Sequence, residues 1–187
     1  MASGIEPEVV GELRTRLLEA LALKELPRAG WLRVGIDGPE SVAAHAWGVA
    51  WLVLALCPDH LDRGRALAMA VLHDLPEVRT GDVTPHDGVD PASKRRAERQ
   101  ALAGLLTGLD RSAELESIWL EYEQETSHEG RFVKACDRLD MALQAERYRT
   151  KHGVDTAEFV ETALAALEGS SLAALIAGRG AENPAER

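Results

Sequence analysis

Aromatic side chains are scarce in this chain: two Phe, two Tyr and four Trp make up 4% of its 187 residues, although 45% are hydrophobic. A core so poor in aromatic mass has to be assembled from Ala, Leu and Val, which pack well between helices. At this length one such core is within reach, in one domain or in one domain with an appended helix. Only two cysteines occur, Cys57 and Cys136. They form neither a CxxC pair nor a disulfide framework, the usage expected of a reducing cytoplasm. No apolar run reaches the length of about eighteen residues that a membrane helix needs. No positively charged leader precedes an apolar segment, so neither a membrane span nor a secretory signal is expected. A cationic surplus is missing too: 21 Lys and Arg against 31 Asp and Glu leave a formal charge of −10. That argues against a general nucleic-acid surface. A small anionic ligand would have to be held by local arginines or by a metal ion.

What is present is helical periodicity. Val10, Leu13, Leu17, Leu18, Leu21 and Leu23 predict an amphipathic helix from Pro7 to Leu26, closed by Pro27. Pro39 is the expected first residue of a second helix, in which Val42, His45, Ala46, Val49, Leu52, Val53 and Leu56 recur at helical spacing. Trp47 and Trp51 lie on another face and await a neighbouring helix or a second subunit. Further helices are predicted over Pro91–Thr107, over Ala113–Thr126 with Ser112 as cap, and over Glu129–Thr150. A last one starts at a capping box of Asp155 and Glu158. No strand and no internal repeat is found. The fold class is therefore all-α.

Three segments carry chemistry. The segment PRAGWLRVGIDG (27–38) is a loop by its Gly and Pro content, yet holds Arg28, Trp31 and Arg33. Two readings stay open: Trp31 plugs the core with the arginines at the surface, or the three form a pocket for a flat base and a phosphate. The segment alone favours the plug. In ALAMAVLHDLPEVRTGDVTP (66–85) an apolar helix runs into adjacent His73 and Asp74, and Pro76 bends or ends it. Glu77 and Asp82 follow close behind. His45 and Asp137 sit in or beside the apolar stripes of two other helices. Each ionisable group alone is explained by a hydrogen bond. Four in one small helical core are costly unless they share a partner. A divalent cation is that partner: two imidazoles and two carboxylates suit a transition metal with positions open for water and substrate. The run Lys94, Arg95, Arg96 reads as a solvated face unless it overhangs the cleft.

In the order His…His-Asp…Asp, this chain resembles the HD-domain metal-dependent phosphohydrolases, and within them the 5′-deoxynucleotidase-like branch. The matching stretches are RAGWLR (28–33), PESVAAHAW (39–47), the 66–85 block, WLEYEQETS (119–127) and FVKACDRLDMALQAERY (132–148). The resemblance implies an HD-domain helical bundle of about six to eight helices. The likeness runs from about Leu23 to Tyr148, and the chain is expected to form one domain over residues 1–177, with a core at 23–150, a C-terminal helix at 155–177 and, by its polar composition, a flexible tail over 178–187. It implies metal ligands at His45, His73, Asp74 and Asp137, catalytic carboxylates at Glu77 and Asp82, and substrate contacts at Arg28, Trp31 and Arg33. The implied cofactor is one divalent transition metal ion, Mn²⁺ or Co²⁺ ahead of Fe²⁺, Ni²⁺, Zn²⁺ or Mg²⁺. The implied substrate is a (deoxy)nucleoside 5′-monophosphate or a close analogue, and the implied assembly a homodimer. Two alternatives use the same scaffold: a di-iron oxygenase and a non-catalytic nucleotide-binding module. The oxygenases carry additional histidines between the HD pair and the last Asp. Here only His86 and His128 fall in that interval, after Pro85 and at a helix start, so one metal is expected.

Overall fold

The computed structural model describes residues 7–178, with side chains from Val10 onward. In chain order they form α1 (Pro7–Leu21), α2 (Ala29–Arg33), α3 (Val42–Leu56), α4 (Arg63–Leu72), α5 (Glu77–Thr80), α6 (Pro91–Leu106), α7 (Ser112–Gln124), α8 (His128–His152), α9 (Ala157–Ala166) and α10 (Ala173–Ile176). Seven of these have ten or more residues, which fits the expected bundle. Among the described residues there is no strand, only an antiparallel bridge between Pro27 and Ser41. None of the described helices is long and apolar enough to cross a membrane.

The frame is α8, 25 residues long and capped by Ser127, whose side chain accepts from the Gly130 amide. Its buried positions Val133, Cys136, Leu139, Ala142, Ala145 and Tyr148 recur every third residue. A helix turns through roughly 300° in three residues, so this line winds around α8 instead of running straight along it. The helix is accordingly surrounded: α3, α4, α7, α9 and α10 all pack on it. The main core joins Val49 and Val53 of α3, Met69 and Ala70 of α4, Ile118 of α7 and Cys136 and Leu139 of α8. A second cluster sets Trp31 and Ile36 on Ala145 and Tyr148, with Phe159 of α9 against them.

Several boundaries differ from expectation. Helix α1 stops at Leu21 and a 3₁₀ turn follows over Ala22–Lys24. The chain at Leu26 is drawn into the bridge instead, where the Leu26 carbonyl accepts from the Val42 amide at 2.8 Å. Val10, Leu17, Leu18 and Leu21, expected to be buried, are 45–53% exposed. Helix α3 begins at Val42 and not at Pro39, because Ser41 caps it through the Ala44 amide. Ser112 lies inside α7 and does not cap it. The Asp155 carboxylate accepts from the Ala157 amide, but Glu158 turns away from the expected box, as described below. The expected C-terminal helix is two, α9 and α10, broken near Gly169 at a φ of +79°. Trp47 and Trp51 are 72% and 55% exposed among the described residues. Apart from Gly178, the expected tail lies outside the described residues.

Candidate metal centre

Helix α4 ends at Leu72, one residue before the HD pair. Pro76 has no amide to donate, so the ladder cannot continue through it, and the next turn starts as α5 at Glu77. His73 and Asp74 therefore sit on the corner between α4 and α5. Trp119 of α7 pins that corner, its indole N–H donating to the His73 carbonyl at 3.0 Å. At the end of α5, Gly81 adopts φ +77°, ψ 162°, which a side chain would oppose, and the turn carries Asp82 back toward α2.

Three expected ligands, His45, His73 and Asp74, bring donor atoms within 4.8 Å of one another, and the fourth, Asp137, joins them through His45. His45 Nε2 lies 3.4 Å from His73 Nε2, 3.2 Å from Asp137 Oδ1 and 3.7 Å from Asp74 Oδ2. His73 Nε2 lies 3.1 Å from Asp74 Oδ2. The outer nitrogens of both rings are engaged. His73 Nδ1 is 2.9 Å from the Ala70 carbonyl oxygen and His45 Nδ1 is 2.8 Å from Asp140 Oδ2. Both partners are acceptors, so both Nδ1 atoms donate, and in the neutral rings both Nε2 lone pairs face inward. Two lone pairs and two carboxylates lie around His45 Nε2, with Arg28 and Tyr122 as the donors that reach the carboxylates, an arrangement that suits a cation. Metal–ligand bonds of about 2.0–2.2 Å put neighbouring donors roughly 3.0–3.6 Å apart, which three of the four spacings match, the His45–Asp74 spacing being 3.7 Å. The donor set fits a divalent metal.

The electrostatics agree. Burial and Arg28 push the His45 pKa down, but hydrogen bonds with Asp137 and Asp140 carry it up to about 10, so the pocket demands positive charge at this ring. Burial alone would raise Asp74 and Asp137. The neighbouring histidines outweigh it and hold both well below the usual carboxylate range. Tyr122 Oη donates to Asp137 Oδ2 at 3.2 Å and orients that carboxylate.

Glu77 differs from its neighbours. Its side chain is buried and its Oε2 has no hydrogen-bond partner. Burial first, then the charges of Asp74 and Asp82, push its pKa up to about 10. Asp82 is fully engaged: Oδ2 accepts from the Ala29 amide at 2.7 Å and Oδ1 lies 3.7 Å from Arg28 Nη1. Arg28, at the start of α2, also reaches Asp74 Oδ2 at 3.4 Å. Its buried guanidinium thus links the HD pair to Asp82.

These groups open into a cleft of about 490 Å³, the size of a small-molecule site. Trp31 lines it but is 2% exposed, with its N–H on Glu40 Oε1 at 2.9 Å and its ring against Tyr148 and Phe159. In position it is the plug. Arg33 lines the mouth, where Glu158 Oε1 takes both Arg33 Nη2 at 2.8 Å and His86 Nε2 at 2.7 Å. That is where Glu158 goes in place of the capping box. His86 is therefore engaged away from the four donors, and His128 is exposed at the start of α8. Lys94 and Arg95 of α6 do overhang the cleft, as does Arg138 of α8. The sequence sets Asp140 beside the same stripe as Asp137 and Tyr122 in the buried stripe of α7 without giving either a role, and Arg138, next to Asp137, carries no signal of its own.

A helical bundle with paired histidines and aspartates converging from three elements defines a class, and this chain belongs to it: residues 20–173 match the HD domain family. Its relatives narrow the comparison. The chain is 38% identical over 128 residues to 5′-deoxynucleotidase HDDC2 of Bos taurus, covering 67% of this chain and 62% of that protein. It is 37% identical over 136 residues to 5′-deoxynucleotidase hdd1 of Schizosaccharomyces pombe, covering 69% and 68%. The chain spans 62–64% of the length of the mammalian curated relatives it matches. Among solved structures it resembles one described as a "predicted metal-dependent phosphohydrolase" from Magnetospirillum magnetotacticum, with a TM-score of 0.71, 30% identity and 93% and 92% of the two chains covered. The PH0347 protein from Pyrococcus horikoshii is similar to it with a TM-score of 0.73, 30% identity and coverage of 88% and 93%.

Proposed function

We propose that this chain is a metal-dependent phosphomonoesterase that removes phosphate from a deoxynucleoside 5′-monophosphate or a close analogue. The observation that carries this reading is the cluster of His45, His73 and Asp74, with Asp137 against His45, in a small-molecule cleft that also holds a buried, unpartnered carboxyl, Glu77 Oε2. The names of the relatives support the substrate class.

His45, His73, Asp74 and Asp137 hold the ion, with Mn²⁺ or Co²⁺ favoured by the resemblance. A divalent ion held by them would supply Lewis-acid polarisation of the phosphate and a more acidic water. Glu77, protonated without the ion, would ionise beside a bound divalent cation and then orient the attacking water and take its proton at Oε2. Arg28 offsets phosphate charge from inside the cleft, which a chain of formal charge −10 cannot do at long range. Asp82 serves by holding Arg28 and the first turn of α2. Arg33, Lys94, Arg95 and Arg138 contribute cations around the cleft, and Trp31 packs beneath it. Four donors and no further histidine among them favour one metal over a di-iron centre.

Residues 1–177 act as one domain in this reading, with the tail beyond. The exposed stripe of Trp47, Trp51 and Leu54 on α3 favours a homodimer, since single chains seldom leave such a face in water. Two free, buried cysteines fit a cytoplasmic protein.

The test is a phosphate-release panel of nucleoside and deoxynucleoside mono-, di- and triphosphates, with each divalent ion and after chelation. Metal-dependent release from monophosphates is the expected result. Release from no nucleotide with any ion refutes the proposal.

A further inference from the structure

We infer that Asp140 is the positioning residue of the metal centre: it fixes the tautomer and ring plane of His45, and Gly48 provides the space that admits its carboxylate. The inference rests on the metal-centre reading proposed above.

Asp137 and Asp140 are three apart on α8, and His45 and Gly48 are three apart on α3, so each pair shares a helix face. The two helices meet along these faces. Asp137 Oδ1 lies 3.2 Å from His45 Nε2, and Asp140 Oδ2 lies 2.8 Å from His45 Nδ1 on the other side of the ring. An imidazole presents a lone pair at one nitrogen only if the proton sits on the other. Asp140, which can only accept, keeps that proton on Nδ1 and turns Nε2 toward His73, Asp74 and Asp137. The counterpart on His73 is a main-chain carbonyl, which no substitution removes. His45 alone depends on a side chain for its orientation.

The space for that side chain is built into α3. A Cβ added at Gly48 would collide with Asp140 Oδ1. Glycine in a helix interior is unfavourable against alanine, so its place in the second turn of α3 has to be accounted for by what stands against it. The carboxylate of Asp140 is what stands there.

A different role for Asp140 is as ligand in a second centre, because Glu40, His45 and Asp140 also bring donor atoms within 4.8 Å of one another. That role needs a lone pair on His45 Nδ1, which would strip Nε2 of its own or remove the ring proton altogether. Glu40 Oε1 is in any case taken by the Trp31 N–H. The geometry favours hydrogen-bond acceptance by Asp140 and one ion at Nε2.

The experiment compares affinity for Mn²⁺ and Co²⁺, by competition with a chelating dye, in wild type, Asp140→Ala, Asp140→Asn and Gly48→Ala, alongside metal-free melting curves and ¹⁵N-histidine spectra. Loss of such an outer partner weakens metal binding by about 10–100-fold. Asp140→Ala and Gly48→Ala both show that loss, the second without touching any hydrogen-bonding atom. Asp140→Asn, whose amide oxygen still accepts from Nδ1, loses less and keeps the Nδ1–H tautomer. Wild-type affinity in Asp140→Ala or in Gly48→Ala, with a lowered melting temperature alone, makes Asp140 structural and overturns the inference. So does a wild-type stoichiometry of two ions that falls to one in Asp140→Asn. Wild type that binds no divalent ion overturns the metal centre itself, a failure distinct from unaltered binding in the variants.

Discussion

Replacing Glu77 by Gln should make the metal-free protein more stable and the metal-loaded enzyme inactive. The carboxyl is buried, its Oε2 has no partner, and its pKa is pushed up to about 10 against an ordinary value of 4.5. Between these two values the unfolded chain has released the Glu77 proton and the native chain has not. Native stability is therefore present in full below about pH 4.5 and falls by about 1.4 kcal/mol for each pH unit above it. At pH 7 the loss amounts to about 3 kcal/mol. Glutamine has the same shape and no proton to lose, so metal-free Glu77→Gln should melt about 6–12 °C above wild type at pH 7. The gap should widen at pH 8 and nearly close at pH 5. Melting curves of chelated protein at the three pH values read the effect directly. With metal bound, the variant should keep its ion but lose about 10²–10⁴-fold in kcat, the usual worth of a general base. A stability difference that stays constant from pH 5 to pH 8 would refute the argument, since only ionisation of a buried carboxyl gives it a slope.

Other consequences can be checked in the same way. His73→Ala should abolish metal binding while the helical circular dichroism survives, and full metal content in the purified variant would remove His73 from the ligand set. Arg33→Ala should cost under about 1 kcal/mol in stability, because its pair with Glu158 is half exposed. It should raise KM for a nucleoside monophosphate about tenfold, well beyond any effect on a small aryl phosphate; unchanged kinetics would make Arg33 only part of the mouth's structure. Trp51→Glu should shift light-scattering mass toward a single chain if α3 is the dimer face, and an unchanged mass places the contact elsewhere.

Much of this was legible in one dimension because helices repeat. A 3.6-residue period puts Val49 and Val53, or Cys136 and Leu139, on one face wherever that face ends up, so the all-α class and the presence of His45, His73 and Asp137 at apolar stripes could be read from spacing alone. The tertiary structure decided what those polar groups do. Asp140 and Tyr122 look like ordinary polar residues along the chain. They become an acceptor for His45 and a donor to Asp137 only because α3, α7 and α8 meet there. Glu158 fits a capping box by sequence, but Arg33 and His86, both distant in the chain, compete for it and win. Local propensity is short-ranged, whereas ion pairs and buried hydrogen bonds depend on which surfaces are brought together. Sequence therefore settled the periodic elements and the donor types, and packing around α8 settled their partners.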